Sequence, residues 1–301
     1  MLFRSGLLLL CSLLSAPLLA ASVQQSYAFT QAGEAKYPPG FSHYDYADPR
    51  APKGGSITMA VVGTYDNFNR YASRGNPGIN TGTLYDGLYT SSDDEPGSYY
   101  PLIAESARYA SDFTWIEIRL NSRARFQNGT PITARDVAFT YQKFMTEGVP
   151  QFRVAYRGVT VKALNDLTVR IEAQKPDKDL LLGLLTLPVI AESFWRDKKF
   201  NEPLSEPPLS SGPYRITRWK LGQFIEFSRV KDYWAADLPV NRGRFNFDRM
   251  RYDYYLDDNV AFEAFKAGAY DLREETSAKK WATQYRGRNF DDGSIVKETT
   301  P

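Results

Sequence analysis

His43 is the one histidine of this 301-residue chain, so a Ser/His or Cys/His nucleophilic machine would have to be built on it. It stands in SHYDYADP among polar aromatic residues, and the chain contains no G-x-S-x-G elbow. The reading is an exposed or hydrogen-bonded loop histidine. Cys11 is the one cysteine and lies in an apolar N-terminal run. Removal of that run leaves no thiol, which excludes disulfides, thiolate catalysis and cysteine metal sites together. Asp93-Asp94-Glu95 and Asp257-Asp258 are runs of carboxylates. Sequence neighbours do not share a helix face, and neither run has the spacing of a calcium loop, so both read as solvated turns or caps. Phosphate-loop and dinucleotide fingerprints are absent. Two carboxylates at the right separation run glycoside hydrolysis, which keeps a secreted glycosidase open as the alternative. Among 35 acidic residues, however, finding a pair discriminates nothing. No catalytic residue, metal ligand or cofactor is assigned.

Thirty-seven basic residues nearly balance those acids, so the chain projects no broad basic field and nucleic acid is excluded as a partner. Aromatic residues make up 14% of the chain. They suit large cores, and they also suit a cleft lined with amphipathic rings. Arg4 followed by the apolar stretch Leu7–Leu19 and the small residues Ala20, Ala21 and Ser22 reads as a secretory signal peptide cleaved near residues 20–22. Leu10 before Cys11 argues against lipidation. No later window is long and apolar enough to span a bilayer, so the mature chain is expected to be exported and soluble.

The elements alternate in type. SITMAVV (56–62) reads as a strand, followed by a long polar and aromatic loop, GTYDNFNRYASRGNPG. Apolar spacing predicts a helix over 79–90. FTWIEIRL (113–120) alternates as a strand should. Thr133 and Asp136 form a capping box for a helix through VAFTYQKFM, with Val137, Tyr141 and Phe144 inward, ended by Gly148 and Pro150. VTVKAL and LTVRIEA read as a hairpin about Asn165-Asp166, and DLLLGLLTLP as a buried short helix. The proline-rich stretch 201–213 reads as a crossover. Tyr214–Trp219 and Phe224–Val230 form the arms of a second hairpin, RMRYDYY another strand, and Asp258 is expected to cap NVAFEAFKAG. Residues 22–55 read as an extended, looped approach. Mixed strands and helices predict an α/β or α+β protein.

Two segments carry a resemblance. AESARYASDFTWIEIRLNSRARFQNGTPITARDVAFTYQKF and SSGPYRITRWKLGQFIEFSRVKDYW resemble, in order and separation, the hallmarks of the large extracellular solute-binding proteins of the oligopeptide-binding type. HYDYADPRAPKGG and RGRFNFDRMRYDYYLDDNVAFEAFKAGAYD are similar to the Gram-negative subgroup that includes the microcin C importer component. The resemblance implies a periplasmic-binding-protein type II-like α/β fold, with a mixed-sheet lobe and a smaller α+β domain. By the same resemblance the chain corresponds to the N-terminal half of the family, with the third lobe falling beyond KETTP. The expected division is signal peptide 1–21, first part of lobe I 22–85, inserted second domain 86–204 and return to lobe I 205–301.

The implied function is capture of oligopeptides or peptide-like conjugates in the periplasm, with delivery to an inner-membrane ABC transporter permease by a monomeric, non-enzymatic binding protein; an oligosaccharide carrier remains a rival. In the family the loop after the first strand lines the cleft. By that correspondence Asn67, Ser73, Arg74, Gly75 and Asn76 are candidate ligand residues. Arg74 is suited to meet a carboxylate or phosphate bidentately. Phe152 and Tyr156, where relatives present aromatics to the cleft, complete the set.

Overall fold

A computed structural model describes residues 21–299. The expected leader up to Ala20 and Cys11 within it lie outside the described residues. In chain order the strands and first helices are β1 (Val23–Ser26), β2 (Phe29–Thr30), β3 (Ser56–Val62), β4 (Tyr89–Ser92), β5 (Glu95–Pro101), β6 (Ala104–Ala110), β7 (Trp115–Leu120), α1 (Ala134–Glu147) and α2 (Pro150–Ala155). There follow β8 (Val159–Asn165), β9 (Thr168–Ala173), α3 (Lys178–Leu185), α4 (Glu192–Trp195), β10 (Tyr214–Lys220), β11 (Phe224–Arg229), β12 (Arg249–Tyr255), α5 (Asp258–Lys266), α6 (Ala278–Gln284) and α7 (Arg288–Asp291). The mixed α/β class expected from the sequence is the one observed.

Three sheets organise these elements, with strand orders β1-β6-β7-β9-β8, β10-β11-β12-β3 and β2-β5-β4. The second contains the only parallel pair among the named strands, β12 with β3, in register from Arg249 opposite Ser56 to Tyr255 opposite Val62. A parallel neighbour requires a long crossover, and here the whole of residues 63–248 separates the two strands.

The alternation in β7 sends Ile116, Ile118 and Leu120 into the main core, where all three are fully buried. Glu117 points the other way and is still shielded, because Arg108 and Arg170 close on its two carboxylate oxygens at 2.6 and 2.7 Å. On α1, Asp136 Oδ2 accepts from both the amide and the hydroxyl of Thr133, each at 2.9 Å; such a cap contributes about 1 kcal/mol. α3 buries Leu181, Leu182, Leu184 and Leu185. Each such side chain stabilises the fold by roughly 1.5–3 kcal/mol through removal from water.

Three local expectations are corrected. Residues 79–90 hold one 3₁₀ turn, Thr81–Leu84, and then enter β4 at Tyr89; Gly82 and Gly87 weaken a helix there. α5 is capped by Asp257, whose carboxylate accepts the amides of Asn259 and Val260. Asp258 instead pairs with Arg273 and Lys280. The stretch 22–55 contains β1 and β2, which join the sheets built by residues 89–173, a pairing invisible in so short and polar a pattern.

Candidate binding edge

The loop after β3 is closed by its own polar groups. The Asp66 amide donates to Asn76 O at 3.0 Å and the Gly78 amide to Asn67 O at 2.8 Å. Asp66 Oδ1 accepts the Asn76 amide at 2.9 Å and Asn67 Nδ2 at 2.8 Å. Those bonds, from the Asn67 side chain first and then the Asn76 amide, hold the Asp66 carboxyl below its ordinary range. Gly75 turns the loop at φ +80°, a conformation glycine adopts without steric cost.

The same loop is pinned to the crossover expected over 201–213. Asn69 Nδ2 donates to Phe200 O and Glu202 O at 2.7 and 2.8 Å. The Phe68 amide reaches Leu204 O. The amide and hydroxyl of Ser73 both donate to Asn201 O, and Arg74 pairs with Glu202 at 2.6 Å. Ser73, Arg74, Gly75 and Asn76 therefore form an exposed ridge on a rigid base, whereas Asn67 is wholly buried and its Oδ1 accepts the Asn69 amide.

Phe152 and Tyr156 lie further along the same aromatic cluster. Tyr71 stacks on Phe200 at 5.0 Å and meets Phe144 edge-on at 4.9 Å. Phe144 then packs on Phe152 at 4.8 Å, and Phe152 on Tyr156 at 4.4 Å. The expected residues thus divide between a polar ridge (73–76), a buried bracket (Asn67) and a packed, half-buried aromatic pair joined to the ridge through Tyr71.

A second region was missed from sequence. In open sheets, ligands meet the carboxyl ends of parallel strands where the chain direction leaves a crevice. Here those ends are Val62 of β3 and Tyr255 of β12, bridged by the Gly63 amide donating to Tyr255 O at 2.8 Å. Beyond β3 the chain adds a further short parallel contact. The Asp271 amide bonds Thr58 O, Asp271 Oδ2 accepts the Thr58 amide at 2.7 Å, and Leu272 bridges Met59. From Arg273 to Thr276 the backbone amides have no partner among the described residues. Leu256 is 90% exposed, Leu272 56% and Val62 51%, an apolar fringe along this edge.

The segment is nevertheless held firmly from below. The buried Arg273 guanidinium donates to Asp258 Oδ1 at 2.6 Å, the Tyr285 hydroxyl at 2.9 Å and Glu275 Oε2 at 3.2 Å. Glu275 in turn accepts the Ser277 amide at 2.7 Å. An open cavity of about 700 Å³ adjoins it, walled by Leu272, Glu274, Thr276, Trp281 and Tyr285. The only sequence signal for this site was Asp271-Leu272 following a helix-ending glycine, too short a stretch to mark as a strand.

Residues 98–301 match the family model of bacterial extracellular solute-binding proteins, family 5. The chain is 64% identical over 292 residues to YejA of Escherichia coli K12, covering 97% of this chain and 48% of that protein. It is 32% identical over 279 residues to the "Probable peptide-binding protein YejA" of Agrobacterium fabrum, covering 89% and 45%. The chain therefore spans about half the length of the curated relatives it matches. Its fold is similar to that of part of the oligopeptide-binding protein AppA from Bacillus subtilis, solved in complex with a nonapeptide, with a TM-score of 0.66 and 21% identity over 80% of this chain and 47% of the other. The fold expected from the sequence resemblance holds.

Proposed function

Because the chain belongs to family 5 of the bacterial extracellular solute-binding proteins, we propose that it is part of a periplasmic binding protein that captures oligopeptides or peptide-like conjugates and hands them to an ABC permease. The observation that carries this reading is the row of amides from Arg273 to Thr276 beside the β3 edge that have no partner among the described residues. A peptide supplies carbonyls for such donors whatever its side chains are, so main-chain pairing gives affinity without strict sequence preference. The nearby apolar fringe suits peptide side chains, and closure over the edge by a facing lobe would exclude water and strengthen each bond.

In this reading the segments 86–204 and 205–301 serve as the inserted domain and the return to the first lobe, and the protein acts as a monomer. The Ser73–Asn76 ridge supplies contacts at the rim, where Arg74 exchanges Glu202 for a ligand carboxylate. No bond of the ligand is broken; the chain offers hydrogen-bond donors and apolar surface and needs no nucleophile.

Calorimetry of the full-length protein with a library of three- to nine-residue peptides tests the proposal. Micromolar or tighter binding that falls at least tenfold when Thr276 is replaced by proline supports it, since the proline removes one of the amides. Absence of binding up to millimolar peptide, or turnover of a chromogenic glycoside, rejects it.

A further inference from the structure

A second cavity, about 680 Å³, lies at the other end of the four-stranded sheet, against Met250 near the start of β12. Its walls bear both an acid and a base. Asp86 lies buried in its wall, and its carboxylate accepts the Tyr233 hydroxyl at 2.8 Å and Trp234 Nε1 at 2.9 Å. Both donors are neutral, and among the described residues no lysine or arginine pairs with this acid. Asn241 extends the chain of bonds by donating to the Tyr233 hydroxyl at 3.3 Å, so a connected strip of Asp86, Tyr233 and Asn241 forms one wall.

Arg244 belongs to the same lining. Its guanidinium sits over the Phe245 ring at 5.2 Å, donates one bond to Val240 O at 3.2 Å, and among the described residues has one distant carboxylate neighbour, Asp93 at 4.0 Å, itself largely exposed. A guanidinium carries five donors, so most of this one remains available. Asn80 and Asn246 add neutral polar groups.

We propose that this cavity is a separate site for a small zwitterion, an α-amino acid or a dipeptide, with its ammonium at the Asp86 wall and its carboxylate on Arg244. Each carboxylate oxygen of Asp86 has accepted one bond and retains acceptor capacity for a second. Burial among neutral donors disfavours its ionised form, so an ammonium beside it offsets that cost. Arg244 offers the planar fork that a carboxylate fits bidentately. The volume falls in the range of small-ligand sites. This site shares no wall residue with the edge at 273–276, and it does not depend on the proposed peptide function.

Trp234 provides a local reporter, because its indole N–H bonds the acid in question. Full-length protein labelled with ¹⁵N-tryptophan is titrated with L-alanyl-L-alanine, and the Trp234 indole signal is assigned by its loss in Trp234→Phe. The expected result is a saturable shift of that signal. N-acetyl-alanyl-alanine, lacking the ammonium, and alanyl-alanine amide, lacking the carboxylate, should each bind at least tenfold more weakly. Arg244→Gln should weaken the dipeptide at least tenfold while the protein stays folded. An unmoved Trp234 signal, equal shifts with the blocked dipeptides, or an unchanged affinity in Arg244→Gln each overturns the proposal. A dipeptide that bound only along the 273–276 edge would move the Trp281 indole and leave Trp234 in place.

Discussion

Gly75 and Asp66 meet across the closed loop after β3: a β-carbon built on Gly75 would stand 2.6 Å from Asp66 Oδ1 and 3.0 Å from Asn67 Nδ2. Gly75 is also at φ +80°, where a side chain strains the backbone. Gly75→Ala is therefore expected to break the Asp66 bracket and cost about 1–3 kcal/mol. Chemical denaturation measures the loss. Peptide affinity should fall with it if the Ser73–Asn76 ridge is part of the rim. A variant as stable as the parent would show that the bracket does not hold the loop.

Arg74 tests the ridge from the opposite direction. Its pair with Glu202 is short, at 2.6 Å, but the side chains are 73% and 40% exposed. Exposed pairs contribute little, about 0.2–1 kcal/mol. Arg74→Ala should leave the melting temperature nearly unchanged while lowering affinity for peptides with a free carboxylate, and Glu202→Gln should raise that affinity by freeing the guanidinium. Affinities unchanged in both variants would remove Arg74 from the site.

How far the sequence reveals this protein depends on the length and pattern of each segment. β7 and the β8–β9 and β10–β11 hairpins were legible because side chains alternate over six or seven residues and turn residues bound them. The α1 cap was legible because Thr133 and Asp136 have the required spacing. β1 and β2 were not, since four and two mostly polar residues acquire their conformation from partners some seventy or more residues away. The site shows the same contrast. The loop 63–78 announces itself by composition. That Phe68, Asn69 and Ser73 fasten the loop to carbonyls at 200–204, while Asn67 is held inside it by Asp66 and Asn69, is something no local pattern reveals. The edge at 273–276 depends on Asp271 finding Thr58, a contact that only the folded sheet provides.

Arg273 anchors that edge and should be costly to remove. Its side chain and that of Glu275 are 8% and 5% exposed, so Arg273→Met leaves a buried carboxylate without its cation. A loss of about 3–5 kcal/mol is expected, read as a lower urea midpoint. The double variant Arg273→Met, Glu275→Met should recover part of it, because two apolar side chains remove the uncompensated charge. If the double variant is no better than the single one, the pair is not the unit that holds Leu272–Thr276.

Asp86 makes stability depend on pH in the direction opposite to most carboxylates. Burial pushes its carboxyl up from 3.8 to about 7, against the opposing pull of Tyr233 and Trp234. The folded chain therefore binds this proton more tightly than the unfolded chain. Its favourable effect is complete below the unfolded value, declines as pH rises from about 4 to about 7, and is gone above that. A displacement of this size corresponds to about 4 kcal/mol between the two limits. The groups placed to modify it are Tyr233, Trp234 and the Arg244 guanidinium in the same cavity wall. Asp86→Asn keeps an acceptor for Trp234 and offers a donor to the Tyr233 oxygen while removing the titration. Between pH 5 and 8 the parent protein should lose stability more steeply than Asp86→Asn, with the variant the more stable of the two at pH 8. Denaturation curves at the two pH values decide the point: parallel slopes would mean that Asp86 does not titrate in this window.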